Sequence, residues 1–113
     1  MTEWLSVPEC AQALGVRDSR VRELLRERVL IATRRGPNNA LAIPADFLLT
    51  DVPKPHVLPT LRGTATVLAD LGLDDDAIVA WLLEDNAELG STPVAALREG
   101  RRAPVRRVAQ TLL

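Results

Sequence analysis

SVPECAQALGVRDSRVRELLRERVLIATRRGPNNALAI, residues 6 to 43, decides the fold. Ser6 and Glu9 have the spacing of a capping box, in which the Ser hydroxyl takes the N3 amide and the Glu carboxylate takes the Ser amide. Pro8 falls in the first turn, where amides lack partners in any case. A first helix therefore begins at about Val7, and Val7, Cys10, Ala11 and Leu14 follow i, i+3, i+4, i+7 as its buried stripe. Leu14-Gly15-Val16 then makes a corner, because Gly15 is free to take positive φ and Val16 follows it with a branched side chain expected to be buried. A second helix crosses the first there, which is the helix-turn-helix arrangement.

Asp18 or Ser19 is expected to cap that second helix, which runs to about Arg28 with Val21, Leu24 and Leu25 turned inward. At about 100° per residue the opposite face carries Ser19, Arg22, Glu23 and Arg26, with Arg20 on its flank. Val29 to Thr33 is apolar and β-branched, Arg34-Arg35-Gly36-Pro37-Asn38-Asn39 has turn chemistry, and Leu41-Ala42-Ile43 returns as a second strand. This predicts a hairpin with a basic, flexible tip. A two-stranded ribbon is marginal alone and must lean on the helices, as the wing of a winged helix does. Ala45 to Leu49 reads as a short helix or turn in which Phe47, the only Phe, plugs the gap between wing and helices.

Asp51 to Pro59 holds three prolines in nine residues and cannot be helical throughout. Beyond it the pattern is helical. Leu58, Leu61, Ala65 and Leu68 share one face of a helix ending at Gly72. Asp74-Asp75-Asp76 open the next helix, where acidic side chains suit the positive end of the helix dipole. Ile78, Val79, Leu82 and Leu83, with Trp81 beside them, make this helix apolar around much of its circumference. Thr92-Pro93 begins a third helix that Gly100 ends, and Ala103 to Leu113 forms a fourth with Val105, Val108 and Leu112 inward. The fold class is therefore mainly α. A winged helix-turn-helix of two or three helices plus a short two-stranded wing spans residues 1–50. A Pro-rich linker spans 51–59, and a small helical bundle spans 60–113.

Composition narrows the function. Apolar residues at 47% suffice for a core, and aromatics at 3% make it aliphatic and helical rather than a β-sandwich. Cys10 and His56 are each the only residue of their kind, so no disulfide framework or zinc cluster can form within the chain, and no cofactor or metal is expected. Gly36 and Gly63 belong to no phosphate loop with a Lys-Ser/Thr pair, and nothing assembles a nucleophile, a base and an orienting group, so the chain reads as non-enzymatic. The triple Asp reads as a solvated helix cap, since adjacent residues at a helix start point in different directions. No run approaches the roughly 18 apolar residues of a membrane span, and the expectation is a soluble cytoplasmic protein. The last helix is too short for the coiled coil that pairs many regulators, which implies a monomer or weak homodimer.

A net charge of −1 excludes a protein that coats DNA through overall charge, but the charge is unevenly spread. Arg17 to Arg35 carries seven arginines against three acidic residues, a local balance of +4 that leaves the remainder near −5. A basic face on a mildly acidic body is the footprint of a protein that docks one side onto phosphates. The candidate contacts to double-stranded DNA are Arg17, Ser19, Arg20, Arg22, Arg26, Arg34 and Arg35. Arg22 and Arg26 are long enough to fork onto guanine edges in a major groove, Ser19 meets a base or phosphate near the helix start, and Arg34 and Arg35 reach backbone or minor groove. Glu23 either accepts from a cytosine amine or pairs with a neighbouring cation on the helix surface.

LSVPECAQALGVRDSRVRELLRERVLIATRRG, residues 5–36, resembles the helix-turn-helix and wing entry of the MerR and excisionase class. Leu61-Arg62-Gly63-Thr64, Trp81-Leu82, Thr92-Pro93, Ala96-Leu97-Arg98 and Val105-Arg106-Arg107-Val108-Ala109-Gln110 resemble the C-terminal domain of a small actinobacterial family of winged helix-turn-helix DNA-binding proteins, known best from its mycobacterial member. The resemblance implies a DNA-binding protein and transcriptional regulator with no known enzymatic activity, and by position it supports Arg17, Arg22, Arg26 and Arg34 as DNA-facing. Gly90-Ser91-Thr92-Pro93 with Ala96-Leu97-Arg98-Glu99-Gly100 also looks like the C-terminal segment of certain antitoxins. That motivates the alternative of an antitoxin-like or adaptor module that binds a protein partner through its C-terminal helices.

Overall fold

A computed structural model describes residues 2–112. The chain opens with a two-residue strand, β1 (Trp4–Leu5), before helix α1 (Val7–Leu14). The capping box is present: the Glu9 amide donates to Ser6 Oγ at 3.2 Å and the Ser6 amide donates to Glu9 Oε1 at 2.8 Å. Val7, Cys10, Ala11 and Leu14 are all buried. Gly15 ends α1 at φ 70°, in the left-handed region where only glycine sits at no steric cost, and its amide closes onto Gln12.

Helix α2 (Asp18–Arg26) follows and packs across α1. Its N-cap is Arg17, whose side chain makes no capping bond, so neither Asp18 nor Ser19 caps the helix as the sequence suggested. The left-handed corner at Gly15 turns the chain one residue sooner, and Asp18 falls inside the first turn, where its charge suits the helix dipole. Val21 and Leu24 are buried and Leu25 is half-buried.

The wing departs from the expected register. After α2 the chain reverses through Arg28 at φ 62°, with the amides of Val29 and Leu30 donating back to the Leu24 carbonyl. Leu30, Ile31 and Ala32 are then buried in the core without ladder partners, so the apolar run expected to be a strand is fixed by burial instead. The first wing strand, β2 (Thr33–Arg35), begins where that run ends and includes the two arginines expected at the tip. It pairs antiparallel with β3 (Ala40–Pro44) in the register Thr33↔Ala42, Arg34↔Leu41 and Arg35↔Ala40, leaving Gly36 to Asn39 as the turn. β1 pairs with the other edge of β3, Trp4↔Pro44 and Leu5↔Ile43, giving a three-stranded sheet ordered β1-β3-β2.

A 3-10 turn, Ala45–Phe47, seats Phe47 in the core with no exposure. β4 (Leu48–Leu49) follows and pairs with β5 (His56–Val57), a strand contributed by the Pro-rich segment. Val57 and Leu58 are buried. The C-terminal part contains α3 (Leu61–Asp70), α4 (Asp75–Leu83), α5 (Pro93–Arg98) and α6 (Arg102–Gln110). Asp74 caps α4 by accepting from the Ala77 amide, and Thr92 caps α5 by accepting from the Ala95 amide. Helix α3 packs on α6, α5 bridges α4 and α6, and α4 also packs against β2 of the wing. Leu112, expected to point inward, is 45% exposed, because α6 stops at Gln110 and Ala109 fills the inward place beside Val105 and Val108. Leu113, expected to end that helix, lies outside the described residues. Buried side chains from both halves, Ile43, Phe47, Leu61, Leu82 and Leu97 among them, form one continuous core.

Candidate nucleic-acid interface

Helix α2 is amphipathic over its whole length, and burying Val21 and Leu24 turns Ser19, Arg22 and Arg26 to solvent, all three exposed. Arg17 is exposed at the helix start. Arg20 is also exposed, but it is ion-paired: its guanidinium lies 3.1 Å from Glu23 and 3.7 Å from Glu27. Glu23 is therefore committed to a neighbouring cation. Arg28, also inside the basic segment, is paired with Asp75 at the start of α4 at 2.6 Å. Among the described residues, Arg17, Arg22, Arg26, Arg34 and Arg35 have no carboxylate partner.

The two wing arginines are held differently. Arg34 donates to the Asn39 carbonyl at 3.0 Å, across the turn, and remains exposed. The Arg35 guanidinium carbon stands 4.2 Å from the centroid of Trp4, a cation–π contact that ties β2 to β1 across the central strand. Trp4 is therefore part of the wing, which a two-residue strand with no visible alternation did not signal. An open cleft of about 630 Å³ separates the wing root, with Thr33 and Arg34, from Asp74–Asp76. Asp76 accepts from the Thr33 hydroxyl and Asp75 holds Arg28, so these acids moor α4 to the wing. Among the described residues no group of His, Cys, Asp or Glu could hold a metal ion, and no helix is long and apolar enough to cross a membrane.

Arginines on the last helix formed no part of the expected site. Arg102, Arg106 and Arg107 are exposed on α6, and the signal for them is the density of five arginines between residues 98 and 107.

A helix pair crossing at a glycine corner, backed by a β-ribbon whose first strand carries two arginines, defines a winged helix-turn-helix protein. Residues 1–48 match the family described as "DNA-binding protein Rv2175c, wHTH domain", and residues 58–112 match "Rv2175c C-terminal domain of unknown function". The chain is 34% identical over 99 residues to DNA-binding protein Rv2175c of Mycobacterium tuberculosis (strain ATCC 25618 / H37Rv), a match covering 88% of this chain and 61% of that protein's length. The NMR structure of Rv2175c superimposes with a TM-score of 0.82 at 30% identity, covering 97% of this chain and 80% of that one. The chain belongs to this mycobacterial-type family of winged helix-turn-helix proteins.

Proposed function

We propose that this protein binds duplex DNA by laying α2 in the major groove, with the wing beside it on the backbone, and that it regulates transcription from the sites it occupies. The observation that carries the reading is the outward face of α2, where Arg22 and Arg26 stand exposed and unpaired one turn apart while the acidic residue between them is occupied by Arg20. Arg22 and Arg26 are the groove-facing side chains, Arg17 and Ser19 contact phosphate at the helix start, and Arg34 reaches the backbone from the wing. Arg35 and Arg20 act as supports, one stacked on Trp4 and the other tied to Glu23 and Glu27. The name of the mycobacterial relative, a DNA-binding protein, supports the same partner. The place of action on this reading is the cytoplasm, where the DNA is.

Fluorescence anisotropy of a labelled random-sequence duplex, titrated at about 50 and 200 mM salt, tests it. Wild-type binding should weaken by orders of magnitude between the two, because phosphate contacts release counterions. Arg22→Ala with Arg26→Ala should weaken binding severalfold or more and lower its salt dependence while the circular dichroism spectrum stays unchanged. Unaltered binding by that double variant would refute the assignment of α2.

A further inference from the structure

Residues Arg98 to Arg107 hold five arginines against Glu99, a balance of +4 equal to that of Arg17 to Arg35. With a whole-chain charge of −1, the rest of the molecule carries −9, so there are two concentrated basic regions on an acidic body. Two of the five arginines are structural. Arg98 donates to the Asp46 and Leu48 carbonyls at 2.9 and 2.6 Å, and Arg101 donates to the Leu89 carbonyl at 3.0 Å and lies 3.5 Å from Glu99. Arg102, Arg106 and Arg107 are exposed and have no carboxylate partner among the described residues. Arg102 and Arg106 lie four apart, a like-charge spacing that disfavours the helix until an anion neutralises it.

These three side chains, with Gln110, line an open groove of about 520 Å³. Arg102 and Arg106 also form one wall of an adjoining cleft of about 190 Å³, whose other wall is Thr60, Gly63 and Thr64 at the start of α3. The hydroxyl of Thr60, the α3 N-cap, makes no capping bond, and its Oγ1 is buried with no hydrogen-bond partner among the described residues. The amides of Arg62 and Gly63 lie in the first helical turn, which the helix supplies with no carbonyls. Gly63 leaves room for the Arg106 guanidinium, since a Cβ there would stand 3.2 Å from Nη2. Guanidinium forks, a free hydroxyl and helix N-terminal amides are all donors, and together they fit a tetrahedral oxyanion.

We infer that α6 and the start of α3 form a second phosphate-binding groove, which takes the sugar-phosphate backbone of duplex DNA outside the footprint of α2. The inference rests on the proposed DNA-binding function. An acidic protein segment would look for apolar anchors beside its carboxylates, and the groove and its adjoining cleft offer only Ala103 and the exposed Pro59 among arginines, Gln110 and threonines, whereas a phosphodiester chain needs charge and donors alone.

Two measurements test it. In a ¹H–¹⁵N titration of the full wild-type chain with an unlabelled duplex of about 20 base pairs, the amides of Arg62 and Gly63 and the side-chain Nε–H of Arg102 and Arg106 should shift together with residues of α2. Shifts in α2 alone would overturn the second groove and leave the proposed function standing. Shifts in the α3/α6 set alone would support the groove and refute the assignment of α2, and shifts in neither would refute both. The triple variant Arg102→Gln, Arg106→Gln, Arg107→Gln should lower the slope of log Kobs against log salt by about 2.7 for three lost contacts. Between about 50 and 200 mM salt the wild type would then lose roughly 40-fold more affinity than the variant, the two curves converging at high salt. An unchanged slope, with the variant folded by circular dichroism, would overturn the inference and point to an acidic protein partner.

Discussion

Gly15 and Gly63 occupy opposite situations, and substitution should act on them with opposite sign. Gly15 sits at φ 70° with nothing within 4 Å of where a Cβ would be, so Gly15→Ala meets no clash and pays only the left-handed conformation. A loss of about 1 kcal/mol in chemical denaturation is expected, smaller for Gly15→Asn. Gly63 lies within helix α3, where its φ is not positive, and its nearest obstacle is the far end of the exposed Arg106 side chain. Gly63→Ala should raise stability by about 0.5–1 kcal/mol, because Arg106 can move aside while the unfolded chain loses freedom. Both glycines are visible in the sequence, and only Gly15 announces its role there, through the apolar residues either side of it. What distinguishes Gly63 is a neighbour 43 positions away, which no local pattern contains. The ion pairs of Arg20 were illegible for a similar reason: its position on the helix is fixed by periodicity, but its guanidinium is long enough to swing back to Glu23 and Glu27.

At the scale of the element, α1 was the most legible part of the chain because cap, stripe and corner all lie within ten residues, although Val16, expected to be buried just past the corner, is 39% exposed. It also responds to pH at both ends of the scale. The Ser6 backbone amide donates to the Glu9 carboxylate and, with a smaller contribution from the Ser6 side chain, lowers its pKa below the usual 4.5. Its contribution is present above that ordinary value and is lost as pH falls through the lowered one. Cys10, on the buried stripe with no exposure, has its thiol pKa raised by burial from 9.0 to about 11. Below pH 9 the thiol is protonated folded and unfolded alike; between 9 and 11 only the unfolded chain gives up its proton, so stability falls as pH rises. The loss should be on the order of 2 kcal/mol, and a Cys10→Ser or Cys10→Ala background should flatten the alkaline limb of a denaturation series. Alkylation of the native thiol at pH 8 should be slow and become fast on unfolding. The wing was less legible than α1. Val29 to Ala32 has strand composition, yet the left-handed turn at Arg28 carries it into the core, and the pairing residues are the polar Thr33, Arg34 and Arg35.

The two halves of the molecule are joined by more than the chain between them. Phe47 and Leu48 share a core with Leu61, Leu82 and Leu97, and Val57 pairs back onto Leu48 from inside the Pro-rich segment. Arg98 of α5 donates to two carbonyls of the 3-10 turn and β4, while Asp75 and Asp76 of α4 hold Arg28 and Thr33. The ion pair is half-exposed and contributes at most about 1 kcal/mol, so the shared apolar surface is the main coupling. Three prolines in nine residues signalled a break in helix, and they do interrupt it, but pairing and burial within that segment depend on partners elsewhere in the chain. Packing of this kind predicts that the halves unfold together. Trp4 lies in the wing and Trp81 on α4, and both are half-buried, so each reports one half. In Trp4→Phe only the C-terminal half emits, and in Trp81→Phe only the N-terminal half. For each variant in urea, the fluorescence midpoint should coincide with the far-ultraviolet circular dichroism midpoint, as for a two-state domain. If the Trp4 signal of Trp81→Phe is lost at lower urea than the helix signal, the winged part opens by itself. The shared core would then be too weak to hold the two halves as one cooperative unit.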